Sequence, residues 1–268
     1  MGATSAAERR AIQDFGTVVV VGGGCYGDYY LRQLGRAAAA GAVRWRRLLV
    51  VDRDPGCAVA RRLAGGDPIA LPAMELVVSE WAPFFDSWLA SSAVDPAGAD
   101  RDAVVPSPLM PHLLFDWLLA RARRRWPSRS VGVEPLQRAP DTPWQRAAPD
   151  GTHFVSFAEW MCPINCIEPA KCPHVRAERT WSLPVTLRRY AAEEQAAGTA
   201  IAGAAVFHCT HRVYGVGMVD VRDVLEADRE VARLGAAGPF ELLVGTVSHC
   251  HGALNRLVVG PEPFVPVP

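Results

Sequence analysis

The apolar positions at 17–21, Thr17-Val18-Val19-Val20-Val21, run without alternation, as befits a parallel strand buried on both faces. The run ends in Gly22-Gly23-Gly24-Cys25-Tyr26-Gly27, and a helical pattern follows from 28 to 40. The same alternation of elements then repeats. Strands are expected at 47–51, 74–78 and 102–105, and helices at 57–63, 81–90 and 112–126. Strands alternating with helices imply a doubly wound parallel sheet. The stretch 127–151 is proline-rich and weakly periodic, so a boundary falls near 130, and a short strand over 131–134 is compatible with the first sheet. Beyond it the pattern gives a strand at 204–209, a helix at 219–234 and a strand at 240–249.

The expected architecture is therefore α/β: a doubly wound, Rossmann-like parallel sheet over 12–128 with a cysteine- and histidine-rich α/β extension over 129–268. Net charge is zero, which removes the general electrostatic case for nucleic acid or an anionic membrane surface. The basic residues are almost all arginine, Lys171 being the one lysine. No apolar stretch reaches bilayer length, so direct membrane insertion is not expected, and the chain reads as cytoplasmic.

Gly22-x-Gly24-x-x-Gly27 fits the dinucleotide fingerprint between a strand and a helix. In that motif the first glycine turns the chain, the second admits the pyrophosphate to the backbone, and the third lets helix pack on strand. Cys25 and Tyr26 lie inside the loop. Asp52 ends the second strand, where an acid meets ribose hydroxyls, and Arg53 beside it suits a 2′-phosphate. NAD is thereby favoured over NADP. Asp28 would repel a pyrophosphate if it pointed inward.

These residues carry a resemblance. Val-Val-Val-Val-Gly-Gly-Gly at 18–24, Val-Val-Asp-Arg-Asp-Pro at 50–55 and Asp-Ala-Val-Val at 102–105 resemble the Rossmann domains of potassium-transport regulators (RCK/Trk-like). That likeness spans roughly 15–125 and implies nucleotide binding and regulation of a transporter. Cys-Pro-x-x-Cys-x-Glu-Pro from 162, combined with Gly-Thr-x-x-x-Cys-His-Gly from 245, also looks like a group of uncharacterised bacterial proteins.

Chemistry concentrates in the second half: five of seven cysteines and six of seven histidines lie after residue 150. Cys162, Cys166 and Cys172 share a loop with Pro163, Pro169 and Pro173, a proline density that excludes a regular helix or strand there. Three thiolates call for a fourth metal ligand. Cys250 is the first choice and Cys209 the second, both at predicted strand ends. Alternation places Cys209 with His211, opposite His208, and Cys250 opposite His249 and His251. An iron–sulfur cluster is favoured over zinc, because the prolines after Cys162 and Cys172 suit cluster loops and the paired knuckles of zinc sites are missing. Among the remaining candidates, Cys57 reads as a buried helix residue, His112 as a helix start, His153 as a surface residue, and the arginines of 121–125 as a solvated helix end.

Together these features suggest an NAD(P)-binding oxidoreductase whose cysteine-ligated metal lies near the cofactor crevice. Its partners would be the nucleotide and a small-molecule substrate or redox partner. The other reading is a non-catalytic nucleotide- or redox-sensing module with a structural metal.

Overall fold

The computed structural model describes residues 12–66, 71–158, 164 and 166–262. In chain order the elements are β1 (Gln13–Val21), α1 (Cys25–Ala39), β2 (Val43–Asp52), α2 (Ala58–Ala64), β3 (Met74–Val78), α3 (Trp81–Val94), α4 (Pro96–Ala99), β4 (Ala103–Val105) and α5 (Leu113–Arg125). There follow β5 (Val131–Glu134), β6 (Trp144–Ala147), β7 (His153–Ser156), β8 (Lys171–Cys172), β9 (Ala177–Glu178), α6 (Leu183–Ala196) and β10 (Ile201–His208). The chain closes with β11 (Thr210–Val213), β12 (Val216–Asp220), α7 (Val221–Ala237), β13 (Phe240–Val247) and β14 (His251–Val259). It is a mixed α/β protein with both parallel and antiparallel pairing.

The unbroken valine run forms the centre of the first sheet, ordered β11-β12-β4-β1-β2-β3. β1 pairs in parallel with β2 and β4, and β2 with β3. Because successive side chains leave a strand on opposite faces, the valines of β1 are divided. Val18 and Val20 pack with Leu31 and Leu34 of α1, whereas Val21 joins Phe85 of α3 and Leu118 of α5. β12 runs antiparallel to β4, and β11 antiparallel to β12. The chain beyond residue 128 thus completes this sheet.

The second sheet is ordered β10-β13-β14-β7-β6, with β5 also on β14. Its parallel pair is β10 and β13, and its other pairings are antiparallel. Leu183 and Leu187 of α6 pack with Leu243 and Leu254 on one face. Leu242, Val244 and Leu257 face the other way into the cluster shared with α5 and α7. The layer of α5 and α7 therefore serves both sheets at once.

That shared layer explains two departures from the sequence reading. β5 pairs with β14, so residues 131–134 belong to the second sheet and not the first. The arginines ending α5 are not simply solvated: Arg121 and Arg125 bond the two carboxylate oxygens of Asp228 on α7, at 2.9 and 3.0 Å. A helix end that carries only arginines leaves the chain no way to announce its acidic partner 103 residues away.

Candidate functional site

The glycine loop is built for its turn. Gly22 sits at φ +86, a backbone region that favours glycine. Its N–H donates to the Val51 carbonyl at 2.8 Å, closing the turn over β2. The Gly23 N–H donates to Asp52 Oδ2 at 2.6 Å, and Asp52 Oδ1 accepts the Asp54 N–H at 2.9 Å. A side chain on Gly27 would lie 1.9 Å from the Gly22 carbonyl oxygen, so only glycine lets α1 start this close to the loop. A side chain on Gly24, the residue capping α1, would meet nothing within 4 Å. Gly24 therefore faces open space above the loop.

Neighbouring charges are already engaged. Asp28 bonds Arg62 of α2 at 2.8 Å and Arg32 at 3.1 Å, so its carboxylate is neutralised on the helix side. Arg53 stacks over Trp81, its guanidinium carbon 5.3 Å from the ring centroid. Cys25 is exposed at the first turn of α1. Cys57 is buried, as its sequence context implies, and its Sγ lies against Gly23.

Beside this loop a cavity of about 690 Å³ opens where the carboxyl ends of both sheets meet. Tyr26 and Tyr30, one turn apart on α1, form one wall. Ser107 and its flanking prolines follow β4, and residues 246–248 and 250–253 come from the end of β13, the turn after it and the start of β14. Cys209 and His211 enter from the β10–β11 junction, and Cys166 and Glu168 from the proline-rich loop. The ends of parallel strands are where open α/β sheets gather ligands.

Glu168 organises the cavity's electrostatics. Its side chain is 7% exposed, with Oε2 3.9 Å from Arg179 Nη1. Oε1 accepts the backbone N–H of His249 at 3.0 Å, and the residue holds φ +50, a strained region for a non-glycine. Burial pushes the Cys209 thiol up to about 12, and the Glu168 charge adds to that. Burial also raises Cys250, against the lowering effect of the Trp181 indole N–H that donates to its Sγ at 3.3 Å. Tyr30 is raised by burial and then by Cys209. His251 is lowered by burial despite Glu168, and its buried Nδ1 has no hydrogen-bond partner among the described residues. Burial thus biases Cys209 and Cys250 toward the thiol and His251 toward the neutral imidazole beside the Glu168 carboxyl group.

The cysteine and histidine placements divide. Cys209 and His211 share the cavity, while His208 turns away to meet His249 edge-on at 4.6 Å. Cys250 and His251 both line the cavity, against the expected alternation. The reason is that residues 248–250 form a turn between β13 and β14, so the period of two does not pass through them. His211 Nδ1 is hydrogen-bonded to the Cys166 carbonyl, tying the loop to β11. His153 is not a surface residue: it pairs with Leu254 in the sheet, and burial lowers its pKa.

Of the four expected metal ligands, Cys162 lies outside the described residues. Cys166 and Cys250 line the cavity, and Cys172 is buried on β8 away from its lining. Among the described residues no three His, Cys, Asp or Glu side chains form a group that could hold a metal ion. The described donors therefore do not fit a four-cysteine cage. Sequence reasoning placed Tyr26 with the cofactor but overlooked Tyr30, although their i, i+4 spacing set both on one helix face. It named Glu168 without giving it this central position.

Fold and site define an α/β protein with a glycine-loop crevice and an adjoining thiol- and imidazole-lined cavity. The chain belongs to the AF_1314_C family, whose model, described as "Uncharacterized protein, C-terminal domain", matches residues 114–260. The matched span begins within α5 and ends just past β14, so it includes the second sheet, both strands that complete the first, and most of the cavity's donors. No curated protein and no solved structure matches the chain. Among the described residues, no helix is long and apolar enough to cross a membrane.

Proposed function

We propose that the protein is a dinucleotide-binding oxidoreductase, with NAD(H) as cofactor and the cavity beside the glycine loop as its substrate chamber. The observation that carries this reading is the loop: a strand–glycine–helix turn at the carboxyl ends of parallel strands, open at Gly24 and closed at Gly27. The β3-β2-β1-β4 parallel order, helix-covered on both faces, is consistent with a doubly wound Rossmann sheet. The start of α1 offers free backbone N–H groups and a positive dipole end to a pyrophosphate. Asp52 at the end of β2 favours unphosphorylated ribose, and Arg53, stacked on Trp81, is occupied elsewhere.

Hydride chemistry would come from the nicotinamide once bound. The chain's own contribution is placement and proton handling. Tyr26 and Tyr30 extend from the crevice into the cavity, so a ligand can reach from one to the other. His251, held neutral by burial, can accept or release a proton, with Glu168 near enough to stabilise its charged form. No step is assigned to a metal, because the described donors do not converge on one.

The test is titration of the purified full chain with NADH and NADPH, followed by fluorescence or calorimetry. Saturable binding, tighter for NADH and lost in Gly24→Val, is expected. No binding of either nucleotide would overturn the proposal.

A further inference from the structure

The cavity's charge inventory says what class of molecule it takes. Among the described lining residues there is neither a lysine nor an arginine, and Glu168 is the one acidic side chain. A carboxylate or phosphate substrate entering here would meet a buried negative charge and no cation to bond. Desolvating an anion against a like charge is strongly unfavourable.

Glu168 is not free to swing away. Its loop backbone is held at φ +50, and Oε1 is fixed by the His249 N–H. Arg179 stands 3.9 Å from Oε2, and its Nη1 makes no hydrogen bond among the described residues. Arg179 is not among the described lining residues, so it balances the carboxylate without lining the cavity. Tyr26, Tyr30 and Phe154 line the same chamber as Glu168. Aromatic rings and a carboxylate in one lining favour organic cations.

We infer that the cavity binds an amine-bearing, largely apolar molecule, with Glu168 as the residue that selects for its ammonium group. The volume of about 690 Å³ suits a ligand of ordinary metabolite size. This rests on reading the cavity as the substrate chamber, yet it is tested without nucleotide. An oxidisable amine would also match the proposed hydride chemistry: the bound ammonium gives up one proton to water, a C–H hydride passes to the oxidised nicotinamide, and an iminium ion remains.

The experiment uses three probes of one shape: phenethylamine, 2-phenylethanol and phenylacetate. Each is titrated into the full chain by calorimetry, with NADH titrated separately. The amine is expected to bind at least about tenfold tighter than the alcohol, with the carboxylate weakest. Glu168→Gln should abolish the preference for amine over alcohol, whereas Glu168→Asp should retain part of it, and circular dichroism should be unchanged in both. Equal binding of amine and alcohol, tighter binding of the carboxylate, binding of none, or an unaltered preference in Glu168→Gln would each overturn the inference. NADH binding in the face of any of those results would leave the dinucleotide reading standing, and its loss with amine selectivity intact would separate the two the other way.

Discussion

Replacing Gly27 by alanine tests the close approach of α1 to its loop. In an exposed helix the change would stabilise, since alanine exceeds glycine by about 1 kcal/mol in helix propensity. Here the new methyl would stand 1.9 Å from the Gly22 carbonyl oxygen and 2.9 Å from its carbonyl carbon, more than an ångström inside ordinary contact with the first. Backbone is what it meets, so no side chain can rotate aside. Forcing atoms into a packed site of this kind costs roughly 1–3 kcal/mol or more. The clash outweighs the propensity gain, and a net loss of about 1–2 kcal/mol is expected, or a Tm fall of roughly 2–8 °C for a chain of this size. Urea unfolding and calorimetric Tm measure it directly. Gly24→Ala is the partner experiment, because its methyl meets nothing within 4 Å and the residue sits at φ −75. Its stability should stay within about 0.5 kcal/mol of the parent while NADH affinity falls at least about tenfold. A Gly27→Ala protein as stable as the parent, or a Gly24→Ala protein with undiminished affinity, would refute the geometric reasoning.

Other outcomes follow from the same structure. Asp228→Ala leaves Arg121 and Arg125 without their carboxylate, and a loss of about 2 kcal/mol in urea unfolding is expected for these partly buried charged bonds. Stability should also fall as pH drops below 6.5, because His153, His208 and His251 all have folded pKa values lowered from that figure. The unfolded chain then binds protons the folded chain refuses, so each contributes stability above pH 6.5 that is lost toward its lower folded pKa. Tm measured from pH 7.5 to 5.5 should decline, and the decline should be shallower in His153→Gln. Iodoacetamide applied to the native protein at pH 8 should label exposed Cys25 well before Cys209, whose thiol is pushed up to about 12 by burial. Peptide mass spectrometry reads the order, and Cys209 labelled first would contradict the buried environment.

How far the chain announces itself differs between its halves. The first parallel strands, the glycine loop and Asp52 were legible because each rests on a short-range rule: an unbroken valine run, a fixed glycine spacing, an acid at a strand end. Burial of Cys57 was legible too, from its place in a small-residue helix start. The second half was read less well. α6 and β14 went unpredicted, and Val219 and Asp220 fall in β12 where a helix was expected. β12 joins β4 across more than a hundred residues, and local periodicity carries no sign of such a partner. His251 was assigned to the wrong face because alternation was carried through a turn.

By itself, then, the sequence determined the local chemistry: which residues can turn tightly at 22–27, which strands must be buried on both faces, and that thiols and imidazoles crowd the second half. Only the tertiary structure decided that Tyr26, Cys166, Glu168, Cys209, His211 and His251 surround one cavity, and that Cys172 stands outside its lining. The physical reason is that α5 and α7 are packed between two sheets and bring the strand ends of both to one place. Electrostatic character followed from that convergence, since the depth of burial sets the Cys209 and His251 protonation states, and burial belongs to the folded chain alone.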